Sequence, residues 1–217
     1  MKTYQHTLKK GIIRTKTFEE KGLAQFAVNC GLKCGHGCTY CSTGAMLRTN
    51  PIFKKLGLSP FDNSYAIIDP DTPRRVAYDA QKKKKTGIVQ LCTIVDAWAP
   101  EAQEYNLGRK CLEAILSEAG WTVRILTKNA SVINDFDFIE KYFDRVIVGL
   151  SITATPEKSN IIKVIEPNAS PIEERLDALR QAHNQGLRTY GMLCPLLPGI
   201  ADSSEQIDQL VKSMVEC

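Results

Sequence analysis

The chain has 217 residues, 43% apolar and 24% charged, the make-up of a soluble globular protein with one sizeable core, two small domains being the less economical arrangement. Its formal net charge of +4 permits an anionic partner without arguing for one. No apolar run is long enough to span a bilayer, and the opening "MKTYQHTLKKGIIRTK" lacks the apolar stretch and small-residue site of a signal peptide; the expected setting is the cytoplasm, away from any membrane, where thiols stay reduced.

Taken in chain order, residues 1–22 read as an N-terminal extension, and "LAQFAVN" (23–29) as the first buried strand, running straight into a cysteine-rich loop. Residues 42–70, rich in Pro, Gly, Asn and Asp, read as irregular. Asp71-Thr72-Pro73 then opens a helix that runs to the lysine tract 82–85, a solvated helix end or a phosphate contact, and Gly87 ends it. "GIVQLCTIV" (87–95) is a continuous apolar run, as in a strand buried on both faces. Residues 101–120 carry helical spacing in Leu107, Cys111, Leu112, Ile115 and Leu116 and close on Gly120. "WTVRILT" (121–127) predicts a strand, Val132 to Tyr142 a helix, and "RVIVGLSIT" (145–153) another strand. A short helix starts at Thr155-Pro156-Glu157, and a longer one spans Pro171 to Gln185 and stops at Gly186. "LRTYGMLC" (187–194) is the fifth strand and Ser203 to Val215 the last helix. Strands and helices alternating at this spacing imply parallel strands joined by right-handed crossovers, in an open doubly wound sheet or a barrel-like array. The chain stops where a sixth strand is due.

Half of the eight cysteines, Cys30, Cys34, Cys38 and Cys41, fall in "NCGLKCGHGCTYCST" (29–43), while Cys92, Cys111, Cys194 and Cys217 are scattered. Without a secretory signal, metal binding explains such a cluster better than disulfides do. Thiolates select zinc or an iron–sulfur cluster. A structural zinc site usually draws two Cys pairs from separate segments, and one short loop is cramped for it. A cubane presents its irons at separate corners, which Cys34-x3-Cys38-x2-Cys41 on a single loop can reach.

The run "CGHGCTYC" (34–41) resembles the cluster motif of radical S-adenosylmethionine (SAM) enzymes, down to an aromatic residue, Tyr40, before the last cysteine. The resemblance covers the chain from about Leu23 to its end, a radical SAM core (23–217) that is C-terminally incomplete. It implies a partial parallel (β/α) barrel of the radical SAM type, ending before the sixth strand. It also implies that Cys34, Cys38 and Cys41 hold three irons of a [4Fe–4S] cluster, the fourth being left for the amino and carboxylate groups of SAM. Gly35 and Gly37 would let the backbone wrap closely, with His36 between them a loop residue and Cys30 a spare thiol packed beneath.

"TIVDAWAPEAQ", "ILTKNASVINDFDFIEKY", "VGLSITATPE" and "GMLCPLLPGIAD" further resemble the spore photoproduct lyase-like branch, often labelled DNA repair photolyases. That branch ends strand 2 with Asp, Tyr and Pro, whereas here Asp96 is followed by Ala97-Trp98-Ala99-Pro100. In parallel β/α folds ligands sit at the carboxyl ends of the strands, which here carry Thr93, Asp96, Lys128, Asn129 and Ser151. These are candidate SAM contacts, Lys128 for the carboxylate and Ser151 or Asn129 for the ribose, set against the plainer reading that such residues cap turns. Cys92 before Thr93 resembles the cysteine that in spore photoproduct lyases returns a hydrogen atom to the product radical; the plainer reading is a buried strand cysteine. Glu166 and Arg175 flank a proline-bounded turn as a structural pair.

The function implied is reductive cleavage of SAM and abstraction of a substrate hydrogen atom, the electron coming from a flavodoxin- or ferredoxin-type donor and the substrate being a nucleic-acid lesion. Modification of a peptide, protein or tRNA shares every motif named. A non-enzymatic zinc module and a truncated, inactive piece stand further off.

Overall fold

In the computed structural model, residues 1–82 and 85–217 are described; Lys83 and Lys84, inside the lysine tract, lie outside the described residues. Among the described residues nine strands alternate with helices: β1 (Lys2–Gln5), β2 (Ile13–Arg14), β3 (Phe26–Val28), β4 (Gly31–Lys33), β5 (Tyr65–Ile68), β6 (Ile88–Leu91), β7 (Thr122–Ile125), β8 (Val146–Ser151) and β9 (Arg188–Met192). The main sheet has the order β2-β3-β6-β7-β8-β9. Its first pair is antiparallel and all the others are parallel. The five parallel strands are those predicted, and with their crossover helices they form a partial (β/α) barrel. Their registers align the carboxyl ends: Val28 faces Leu91, Leu91 faces Ile125, and Ser151 faces Met192. Residues that follow those ends therefore share one rim.

Apolar composition explains why these segments pair. Val89, Leu91, Val123, Ile125, Val148 and Leu150 are completely buried, as strands covered on both faces require. Helices Thr72–Lys82 and Leu107–Leu116 pack on each other over one face, with Val76, Cys111, Leu112 and Ile115 turned inward, and Trp121 and Phe136 fill the space beside them. The last helix, Ser204–Val215, starts at a capping box in which Ser203 and Gln206 satisfy each other's backbone N–H groups. Among the described residues no helix is long and apolar enough to cross a membrane.

Four segments differ from the sequence reading. Residues 42–70 are not irregular: they form helices Thr43–Met46 and Pro51–Leu56 and strand β5, the centre of a second sheet ordered β1-β5-β4. "YAII" is buried at every position, but four apolar residues between turn-forming neighbours show neither periodicity nor length. β4 is the first part of the cysteine-rich segment itself, so the supposed loop begins as a strand with a bulge between Gly31 and Lys33. The helix expected over 101–120 is interrupted: Asn106 adopts a left-handed φ of 56° between Pro100–Gln103 and Leu107–Leu116. Similarly, 132–142 is broken into 3-10 turns around the short helix Phe136–Ile139.

The segment Asp96–Pro100 is anchored by Trp98, which is buried, donates from Nε1 to Asp135 at 2.7 Å and lies flat over Gly108. A Cβ at Gly108 would fall 2.5 Å from the indole. Ala for Gly inside a helix ordinarily stabilises by about 1 kcal/mol. Here the ring cannot retreat, and Gly108→Ala is expected to destabilise by about 1–3 kcal/mol instead. A lower midpoint in urea at unchanged slope checks this.

Candidate active site

The carboxyl ends of β3, β6, β7 and β8 open onto a cavity of about 340 Å³. Its walls include Cys34, Cys38, Tyr40 and Cys41 from the cysteine loop, Cys92, Thr93 and Asp96 after β6, Lys128 after β7, and Ser151 at the end of β8. All the residues expected at the site thus come together except Asn129, which is not in the wall. Asn129 instead caps the turn Ala130–Asp135, accepting from Ser131 N at 3.0 Å.

The loop is held by side chains from distant segments. His36 is buried; its Nε2 lies 2.8 Å from Asp96 Oδ2 and its Nδ1 3.1 Å from the carbonyl oxygen of Asn168. A carbonyl can only accept, and a carboxylate does the same, so both ring nitrogens donate and the ring is an imidazolium. Burial by itself lowers the His36 pKa, but the neighbouring Asp96 outweighs it and the net shift is upward. At Asp96 burial pushes upward, and His36 with two backbone N–H donors pulls the carboxyl below its ordinary range. Asp96 accepts from Thr127 Oγ1 at 2.9 Å, Lys128 N at 2.9 Å and Trp98 N at 2.9 Å as well. The His36 reading as a mere loop residue is therefore corrected. Its burial comes from packing that no local pattern encodes.

Other bonds complete the clamp. Glu101 Oε1 accepts from Gly35 N at 2.8 Å, and a Cβ at Gly35 would lie 2.4 Å from Glu101 Oε2, so a larger residue there would push that carboxylate aside. Asn168 Nδ2 donates to Gly35 O at 2.8 Å, Asn63 Nδ2 to Cys38 O at 2.9 Å, and Thr39 N to Ile165 O at 2.9 Å. Asn29, at the end of β3, accepts through Oδ1 from Thr93 N at 2.8 Å and Ile94 N at 3.0 Å, and donates to Thr93 Oγ1 at 2.9 Å. Asn29, His36, Glu101 and Asn168 were missed by sequence reasoning. The signal that could have found Asn29 is a polar residue closing an apolar strand, the same signal that singled out Thr93.

A second buried carboxylate organises the opposite flank of the loop. Glu166, fully buried, accepts from Tyr40 Oη, from Lys128 Nζ at 2.9 Å and from Arg175 Nη2 at 2.5 Å, confirming the expected pair with Arg175. Arg175 also donates to Ser151 O at 3.0 Å and Ser170 O at 2.7 Å. Lys128 spends its ammonium on Glu166, on Ser151 Oγ at 3.0 Å and on Cys194 O at 3.4 Å. Burial raises the Glu166 pKa, but the two cations and the phenol outweigh it and bring the carboxyl down to about 2.

Burial pushes up the thiols of Cys34 and Cys38, Cys38 to about 11 even against the nearby ammonium of Lys128. A bound soft cation would displace those protons and make them thiolates. Among the described residues no three His, Cys, Asp or Glu groups converge closely enough to hold a single metal ion. Three thiols standing apart around one cavity fit a polynuclear iron–sulfur cluster, whose irons take one thiolate each.

The parallel barrel carries a thiol-lined cavity at the carboxyl ends of its strands. The sequence matches the Radical SAM superfamily over residues 28–211, and the chain belongs to that superfamily. It is 27% identical over 179 residues to an uncharacterized protein of Methanocaldococcus jannaschii, covering 82% of this chain and 63% of that one. Spore photoproduct lyase complexed with dinucleoside spore photoproduct superposes with a TM-score of 0.64 at 18% identity, over 98% of this chain and 57% of that one. A lyase variant with bound AdoMet and the same dinucleoside gives 0.65 at 17% identity, again over 98% and 57%. The fold is that of spore photoproduct lyase, and the chain spans less than two thirds of the length of each of these proteins.

Glu166→Gln would leave Arg175 fully buried beside a neutral amide, and a loss of about 3–5 kcal/mol of stability is expected. Because the folded carboxyl sits below its unfolded value, its contribution is complete above about pH 4.3. That contribution fades as pH falls through the folded value of about 2. Denaturant titrations from pH 6 downward should show this loss in the parent protein, and a flatter profile in Glu166→Gln.

Proposed function

We propose that the chain is the catalytic core of a radical SAM enzyme. In this reading Cys34, Cys38 and Cys41 hold a [4Fe–4S] cluster and leave one iron open. The observation that carries it is a loop of three thiols, clamped from three sides, facing the same cavity as Cys92 and the polar strand ends. When bound, the cluster and SAM supply reductive cleavage of a sulfur–carbon bond and a primary carbon radical, with the electron from a flavodoxin- or ferredoxin-type donor.

The protein's share is placement. His36 and Asp96 hold the loop against the ends of β6 and β7, so that the thiols cannot spread when charge changes beside them. Tyr40 turns its ring toward the ammonium of Lys128, 5.3 Å from the ring centre, and anchors its hydroxyl on Glu166. Thr93 and Ser151 also line the cavity, their hydroxyls bonded to Asn29 and to Lys128 Nζ and Cys194 O, and help shape the wall that would face the polar parts of SAM. Lys128 and Asp96, whose polar atoms are taken by protein partners, shape that wall and set its charge. Asn129 supports it from behind. Cys92, with its thiol in the wall, gives a hydrogen atom to the product radical.

For the substrate, the reading is a nucleic-acid lesion of the spore-photoproduct type. It is supported by the shared fold with a lyase whose complexes contain that dinucleoside.

Anaerobic reconstitution is expected to load about four irons and as many sulfides per chain, falling to background in Cys34→Ala. The loaded protein, reduced with dithionite, should convert SAM to 5′-deoxyadenosine; iron loading without cleavage would overturn the assignment. Dinucleoside spore photoproduct should revert to thymidine units, and in Cys92→Ala side products should replace the clean reversal. An unchanged product distribution in that variant would remove Cys92 as the donor.

A further inference from the structure

Cys92 does not stand alone. Its Sγ lies 3.9 Å from Cys30 Sγ, and Cys30 Sγ lies 3.8 Å from Cys111 Sγ. The three come from separate parts of the fold: the end of β6, the link between β3 and β4, and helix Leu107–Leu116. They form a line from the cavity wall into the core, with exposures of 4%, 1% and 0% for Cys92, Cys30 and Cys111. Only Cys92 of the three lines the cavity.

We propose that Cys30 and Cys111 extend Cys92 into a hydrogen-atom relay, a deepening that rests on Cys92 being the donor to the product radical. When Cys92 gives its hydrogen atom, a substrate C–H bond forms, its S–H bond breaks and a thiyl radical remains on Cys92. Cys30 then passes its own hydrogen atom across the 3.9 Å gap: one S–H bond forms as another breaks, and the radical moves to Cys30. The same exchange across 3.8 Å places it on Cys111. Each exchange trades one S–H bond for another, so it is nearly thermoneutral and reversible and consumes no outside oxidant or reductant.

The chemistry of the three thiols suits this role. Burial and the Cys111 contact keep Cys30 a thiol, and burial does the same for Cys92, so both carry the hydrogen that a thiolate would lack. All three are free of disulfides. Radical storage two sulfurs deep separates the odd electron from solvent and from the product. A lone thiyl at the wall would stay beside the product it had just quenched.

The test uses the reconstituted holoenzyme with SAM and photoreduced deazaflavin, without substrate and without oxygen. Successive cleavages then draw hydrogen atoms from Cys92. If the relay operates, two cleavages remove one hydrogen each from Cys92 and Cys30, and the paired thiyls couple to a disulfide. Anaerobic alkylation and peptide mass spectrometry should then show both Cys30 and Cys92 lost from the alkylated pool as one cross-linked species. In Cys92→Ala, and in Cys92→Ser as a second check against misfolding, Cys30 and Cys111 should remain fully alkylated. Loss of free Cys92 with Cys30 untouched would overturn the relay and leave the donor intact. SAM cleavage with Cys92 still a free thiol would overturn the donor, and the relay with it. Equal loss of Cys30 with and without Cys92 would overturn the relay by showing a second route to that sulfur.

Discussion

The buried carboxylate of Asp96 ties the cysteine loop to the ends of β6 and β7. Asp96 is buried, and an isolated ionised carboxylate in that position would cost several kcal/mol. The cost is offset by four donor groups: the His36 imidazolium, the Thr127 hydroxyl and the backbone N–H groups of Lys128 and Trp98. Two of these belong to the end of β7, one to the turn after β6 and one to the cysteine loop. A charge that needs all of them brings three chain segments into a fixed relation. His36 sits midway between Cys34 and Cys38, so fixing its ring fixes the spacing of the thiols.

Glu166 repeats the device on the other flank with the polarity of its partners raised. Arg175, fully buried, supplies one charge and Lys128 another, and through Arg175 the network reaches the backbone of Ser151 at the end of β8. Tyr40 carries the loop into this network. The cysteine segment is thus suspended between two buried carboxylates, one reached by His36 and the other by Tyr40. Each carboxylate also holds a different pair of strand ends. Movement of the loop would unpair a buried charge on either side, which makes the resting geometry stiff before any cofactor arrives.

The parallel strands were legible because a strand buried on both faces writes itself as a nearly unbroken apolar run, as in residues 145–153. The three loop thiols facing the cavity were legible because their spacing is local. What escaped was whatever depends on partners far along the chain. β5 is a strand because β1 and β4 flank it, and nothing within "YAII" announces them. His36 looked like filler between two glycines because its partners lie 60 and 132 residues away. Asp96 and Lys128 were correctly singled out as polar strand-end residues. Their spacing could not show that their polar atoms are spent on the protein, because that follows from which strand ends become neighbours in the sheet.

The spare cysteine fits the same logic. The resemblance to the radical SAM motif sets Cys30 outside the ligand set, and in the fold it lies on the other side of β4 from Cys34. The fold then turns that displacement into a position: β4 carries the chain from the core side of the rim to its cavity side, leaving Cys30 below and Cys34 above. One twelve-residue segment therefore contributes thiols to two separate environments. Cys34, Cys38 and Cys41 surround the cavity, where a soft cation can take their protons. Cys30 lies among Cys92 and Cys111 in apolar surroundings, where a thiol keeps its hydrogen. In the proposed function the same side chain serves as metal ligand or as hydrogen source according to the side of one short strand on which it falls.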